Sequence, residues 1–405
     1  MEKVKYLILG GGPAGLTFAN LLKRKCPEDS FLLLEKESVT GGLCRSEDVD
    51  GAPLDIAGGH FLDVRRPKVN EFLFGFMPVE EWDRYIRDSR IEVNGNVINH
   101  PIEANIWQMK IDDQVEYLKS IAVAGCNVGA PIPEDFVEWI YWKLGSKVAE
   151  DYMIPYNQKM FSRELNQLGT YWLEKLPNVS FEETLRSCLE KKAYGKQPGH
   201  AEFYYPKKFG YGELWKRMGD ALGENIEYNK SVEEIDFETH TVVTSDGHKY
   251  MADYIIVSIP WTSFKNIKGM PAEIKESIKE LKHSSIQTEY FPDNLDTKAQ
   301  WIYYPNPSIS YHRILVRHNF CPNSKGYWTE TNSERVVENS DSNGFKYMNQ
   351  YAYPLNTKNK PQIMKKLLSW SSQQNVIGLG RWGEHQHYNS DLTVELSMQL
   401  AEKII

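Results

Sequence analysis

Three stretches of the 405-residue sequence predict an α/β fold. The apolar run Tyr6–Leu9 breaks into Gly10-Gly11-Gly12-Pro13-Ala14-Gly15 and passes into a helix-like run from Leu16 to Leu22. Twenty residues after Gly15, a second apolar run from Phe31 to Leu34 ends at Glu35. Far downstream, Tyr254-Ile255-Ile256-Val257-Ser258-Ile259-Pro260 is almost continuously apolar, as a parallel strand buried on both faces is. The first two stretches set strand, tight turn, helix, strand and acid in the order of a dinucleotide-binding βαβ unit.

Each position of that unit has a chemical reason. Gly10 permits the turn, Gly12 lets the backbone approach a pyrophosphate, and Gly15 lets the helix lie against the strand. The helix opens at Pro13 and Ala14, where free N–H groups face an anion. Glu35 would accept hydrogen bonds from ribose hydroxyls, with Lys36 beside it. The loop that follows holds a second glycine pair, Gly41-Gly42, then Leu43 and Ser46. Its backbone donors suit the second half of a long cofactor and favour FAD over NAD. The run Leu54–Phe61 brings a third pair, Gly58-Gly59, and then His60, either a loop histidine or a neighbour of the flavin ring.

The rest of the chain divides by pattern. Asn94-Gly95 between Ile91 and Ile98 reads as a β-hairpin. Asp112 is placed to cap a helix carrying Val115, Leu118 and Ile121, and Phe136, Trp139, Ile140, Leu144 and Val148 recur at helical spacing. Ser231–Ile235 and Thr241–Val243 read as short strands, and 285–365 as a β-rich, tyrosine-rich stretch. Val376–Arg381 is a strand running into a turn, and a helix follows from about Asp391. The expected architecture is a Rossmann-type FAD-binding domain (1–62, 200–262 and 370–405). It carries an inserted helical domain (105–195) and a mainly antiparallel β-sheet substrate domain (63–104 and 263–369).

Composition narrows the function. A formal charge of -8 argues against nucleic acid as a partner but leaves room for a local arginine cluster and an anionic small molecule. Five scattered cysteines show no zinc spacing and suggest free thiols, so no metal is expected. No apolar run approaches the roughly 18 residues of a membrane span, and no leader precedes the first strand. A cytoplasmic protein is expected. No Ser–His–Asp or Cys–His set stands out, which fits a cofactor carrying the chemistry.

Taken together, these motifs resemble the FAD-dependent superfamily of amine oxidases, protoporphyrinogen oxidase and UDP-galactopyranose mutase. Four segments resemble the mutases, most of all their eukaryotic branch: Gly58-Gly59-His60, Pro155–Phe161, Trp301–Pro305 with Arg313, and Gly380-Arg381-Trp382-Gly383 followed by Asn389. The resemblance implies that His60 lies against the flavin and that Arg313 and Arg381 hold a substrate diphosphate, helped by Tyr303 and Tyr353. It also implies that Asn157 and Phe161 hold the nucleotide end, and that Val232, Asn389, Ser390 and Asp391 join the cofactor set, Asn389 touching the sugar as well. The implied reaction interconverts pyranose and furanose forms of a sugar nucleotide, such as a UDP-sugar. Reduced flavin N5 is then the nucleophile at the anomeric carbon, and NAD(P)H or a flavoprotein is the reductant. His100-Pro101 departs from the mutases' Tyr-Pro, Phe161 from their tryptophan, and either His387 or Tyr388 fills the aromatic position after Arg381. A flavin oxidase of the amine oxidase or protoporphyrinogen oxidase type is the rival reading, and a binding protein without turnover is another.

Overall fold

The computed structural model describes residues 2–127, 129–161, 164–173, 179–195, 199–337 and 344–405. Strand β1 (Glu2–Leu9), helix α1 (Pro13–Lys25) and strand β2 (Phe31–Leu34) form the opening βαβ unit, with β1 and β2 parallel. Alternation of side chains across β1 sends Ile8 to the α1 face and Leu7 and Leu9 to the other, where Ile363 and Leu367 cover them. The parallel strands are therefore buried on both faces, which is why they read as continuous apolar runs. Strand Lys249–Val257 lies parallel to β1, and Val376–Gly378 lies parallel to it in turn. The sheet is completed by Ile226–Glu227 beside β2 and, on the far side, by Thr241–Thr244, Val232–Asp236 and Asn266–Lys268. The last of these still belongs to this sheet, beyond the boundary expected at 262.

A second sheet of seven strands runs in the order Lys346–Pro354, His283–Phe291, Tyr327–Asn332, Arg313–Val316, Trp301–Tyr303, Ser89–Val93, Asn96–Asn99. It is antiparallel except where Trp301–Tyr303 pairs in parallel with Ser89–Val93. The hairpin turns through Asn94 (φ 50) and Gly95 (φ 71), the left-handed pair that Asn-Gly supplies. The register sets Arg313 opposite Tyr303 on one side and opposite Glu330 on the other. A small sheet joins Leu62–Asp63 and Trp82–Ile86 to Glu202–Pro206 between them, so residues just past 200 reach the 63–104 segment.

The inserted segment is helical, with helices Ile111–Gly125, Phe136–Val148, Ile154–Met160 and Phe181–Glu190. The expected cap is corrected: Lys110 occupies the cap position, and Asp112 and Asp113 lie in the first turn, where their charge suits the helix dipole. Asp135 is a true cap of the next helix, accepting from the N–H groups of Val137 and Glu138 at 2.8 and 3.1 Å. Lys159 is fully buried and fastens this segment to the second sheet by donating to the carbonyls of Tyr304 and Asn306 at 2.6 and 2.8 Å. No helix among the described residues is long and apolar enough to cross a membrane. The five cysteines are unpaired.

Candidate active site

The turn between β1 and α1 opens onto a cleft of about 580 Å³. Gly10 takes φ +102 there, and a Cβ on Gly15 would sit 2.1 Å from the Gly10 carbonyl oxygen, so helix and turn meet only because Gly15 has none. Gly12 faces open space at the start of α1, with no side chain capping the free N–H groups. That is an anion cradle. Glu35 forms the next part of the wall, its carboxylate accepting from the Gly11 and Glu37 N–H groups at 2.6 and 2.9 Å. Burial raises its pKa against those hydrogen bonds. Pro13, Ala14, Lys36, Gly42, Leu43, His60, Val232 and Ser390 line the same cleft. An uncapped helix N-terminus, an acid one strand away and a long cleft between them fit a dinucleotide such as FAD.

At its inner end the cleft adjoins a chamber of about 170 Å³, the two sharing Leu43, His60, Arg381 and Ser390. Tyr303, Arg313, Tyr353, Arg381, Asn389 and Gly59 all line this chamber, so residues from five separated segments converge. His60 Nδ1 lies 2.8 Å from the Gly58 carbonyl, which accepts its proton and leaves Nε2 with the lone pair. Burial first, then the Arg381 charge, bring the His60 pKa down to about 4, so the ring is neutral at pH 7.

The chamber's cations differ in their partners. Arg313 Nη2 donates to Glu330 Oε2 at 2.8 Å. Burial alone would raise the Glu330 carboxyl, but Arg313 and the neighbouring His312 together outweigh it and hold the pKa at about 2. Among the described residues Arg381 bonds to carbonyls alone: Tyr388 accepts from Nε and Nη2 at 2.9 and 2.7 Å, and Ala352 from Nη1 at 3.0 Å. Arg87 is a third guanidinium lining the chamber, again with neutral acceptors. Three guanidinium groups against one carboxylate leave two uncompensated positive charges among the described residues. The Tyr303 hydroxyl accepts from Trp301 Nε1 at 2.9 Å and Arg87 Nη2 at 3.2 Å, which keeps its own proton for a ligand oxygen.

Several expected residues stand back from both cavities. Gly15 is the packing contact already described. Ser46 donates to Asp55 at 2.6 Å and accepts from the Gly212 N–H at 2.8 Å, tying the loop to its neighbours. Gly58 lies against the Glu330 carboxylate, and Asp391 accepts from Arg66 at 2.6 Å. Asn157 is buried and donates to the carbonyl of Met153, the residue just before its helix, at 2.7 Å. Phe161 packs edge-on to Tyr353 and His387, behind the chamber wall. Of the two candidates after Arg381, His387 lines the chamber, whereas Tyr388 lines the outer cleft and holds Arg381 through its carbonyl. Arg87 and His200 were not legible in the sequence, because the only signal for either is the pairing of distant strands.

A profile of the NAD(P)-binding Rossmann-like domain matches residues 8–74. A protein of the nifH2 3′ region in Methanothermococcus thermolithotrophicus is 45% identical over 53 residues, which is 13% of this chain and 49% of that protein. Among solved structures, reduced UDP-galactopyranose mutase superposes with a TM-score of 0.88 at 20% identity, covering 100% of this chain and 94% of its own. A candidate protoporphyrinogen oxidase from Exiguobacterium sp. 255-15 gives 0.72 at 15% identity, covering 100% and 98%. A conjugated-linoleic-acid-producing fatty acid isomerase from P. acnes gives 0.67 at 13% identity, covering 99% of each chain. From end to end, the chain has the fold of UDP-galactopyranose mutase.

Proposed function

We propose that the protein is an FAD-dependent sugar-nucleotide mutase that interconverts pyranose and furanose forms, with a UDP-sugar as substrate. The carrying observation is the inner chamber beside the cofactor cleft, whose lining brings together a neutral His60 and Arg87 and Arg381, two arginines without carboxylate partners among the described residues. A diphosphate diester bears two negative charges and matches that excess. An ammonium substrate would be repelled by it, which disfavours the amine oxidase reading. Gly12, the α1 N-terminus and Glu35 would hold the FAD, whose reduced form supplies a nucleophile for the anomeric carbon.

The protein's own groups have distinct tasks. Arg381 and Arg313 hold the diphosphate in place, so that the sugar is presented in one orientation. Tyr303 and Tyr353 donate to phosphate oxygens. His60 keeps an acceptor at Nε2 at neutral pH, because Gly58 fixes its tautomer. The packed aromatic wall of Phe61, Trp301 and Phe203 shields the chamber from water on one side.

The test incubates FAD-loaded protein with UDP-galactopyranose and UDP-galactofuranose, with and without dithionite. Interconversion only after reduction is the expected result. Arg313→Ala and Arg381→Ala should each weaken UDP binding by about 2–5 kcal/mol while the flavin stays bound. Oxygen consumption driven by an amine, with no isomerisation, would overturn the reading.

A further inference from the structure

Arg87 enters the inner chamber just ahead of strand Ser89–Val93, and among the described residues no carboxylate pairs with it. Its Nε donates to Ser89 Oγ at 2.8 Å and its Nη1 to the Gly199 carbonyl at 2.7 Å. Nη2 is shared between the Tyr303 hydroxyl and His100 Nδ1, each at 3.2 Å. The guanidinium carbon lies 4.9 Å from the centre of the Trp301 ring, a contact that permits sliding. The hydrogen bonds are what fix its direction.

His100 is the informative acceptor. Arginine has no lone pair to offer, so the contact requires one on Nδ1, and the neutral ring must carry its proton on Nε2. Burial, and then the positive charge of Arg87, hold this imidazole well below its ordinary pKa, so the acceptor is present at neutral pH. The same ring packs 5.1 Å from that of Tyr303, which keeps the imidazole, Arg87 and the tyrosine hydroxyl in one array.

We propose that His100 is a positioning residue that aims Arg87 into the chamber as a third anion contact beside Arg313 and Arg381. The proposal rests on the mutase reading for the identity of the anion as a diphosphate, and on the chamber's own geometry for the rest. A guanidinium already clamped need not lose rotamer freedom when the ligand arrives, so the clamp is read in affinity.

The experiment measures binding of inorganic pyrophosphate to FAD-loaded protein by calorimetry. Arg87→Ala should weaken it about tenfold, the scale of one charged hydrogen bond, and His100→Phe should do the same. His100→Asn puts an amide oxygen near the Nδ1 position and should retain affinity to within about threefold of wild type, by restoring that acceptor. His100→Gln places its amide at the Nε2 position and should be weak, which serves where phenylalanine is not accommodated. In an Arg87→Ala background, His100→Phe should cost nothing more. The proposal is overturned by wild-type affinity in both His100→Phe and His100→Gln, by an Asn variant as weak as these, or by further loss in the double variant. Failure of wild-type protein to bind pyrophosphate also overturns it. Pyrophosphate binding without redox-gated turnover of UDP-sugars would overturn the mutase reading alone.

Discussion

Glu330 ties two parts of the site together. One carboxylate oxygen accepts from Arg313, and the other lies so close to Gly58 that an added Cβ there would be 2.4 Å away. The side chain that orients a chamber arginine thus also supports the loop carrying His60. Removing one partner of a buried ion pair leaves the other uncompensated, so Glu330→Gln is expected to destabilise the fold by about 3 kcal/mol. The sign of the pH dependence follows from the depressed pKa. Glu330 titrates at about 2 in the folded protein against an ordinary 4.5, so its contribution is complete above 4.5 and lost as pH falls toward 2. Urea unfolding of wild type and Glu330→Gln should give a constant gap above that window and a shrinking one within it. A gap that ignores pH would show that Glu330 is not ionised in the fold. Arg313 was legible from its spacing to Tyr303. Glu330 was not, because only the strand register sets it opposite Arg313.

Helix α1 separates packing from binding within one turn. A side chain at Gly15 meets backbone, whereas one at Gly12 meets nothing within 4 Å and projects into the proposed cofactor space. Gly15→Ala is therefore expected to lower stability by about 1–3 kcal/mol and to lose FAD. Gly12→Val should lose FAD while the apoprotein keeps its denaturation midpoint. Flavin absorbance after gel filtration reports the loss in both variants, and urea titration of the stripped protein distinguishes them. Elements of this kind were readable because their signals are local: a glycine run, a helical period and an acid one strand later. The cap of the helix at Ile111 was read two residues late because an acidic residue in a first turn and one at a cap satisfy the same dipole. His387 and Tyr388 could not be separated in the sequence, since the backbone between Arg381 and Asn389 decides which faces inward. There, His385 takes φ 49 and the Tyr388 carbonyl turns back onto Arg381.

At the scale of the molecule, the sequence displayed the strands but not their order. Trp301–Tyr303 pairs with Ser89–Val93, and Glu202–Pro206 with Leu62–Asp63, across separations that no local pattern records. Those pairings build the chamber, which is why Arg87 and His200 came to light only in the folded structure. They also make the cofactor cleft a seam between sheets. Gly12, Glu35 and Ser258, just past the ends of strands of the first sheet, line it together with Tyr347, Asn349 and Tyr351 of the second sheet's edge strand. Arg45 already crosses the seam, donating to the Tyr347 hydroxyl at 2.6 Å. A ligand filling such a seam binds the folded chain and not the unfolded one, so its binding free energy adds to stability. With free FAD at a hundredfold excess over its Kd, the gain is about 2.7 kcal/mol. Urea titrations at increasing FAD should move the midpoint upward with the logarithm of free cofactor, at constant slope, because the surface exposed on unfolding is unchanged. Gly12→Val should abolish that response. If the wild-type midpoint stays fixed across the series, the seam does not hold FAD and the chemistry assigned to the chamber beside it has no cofactor to work with.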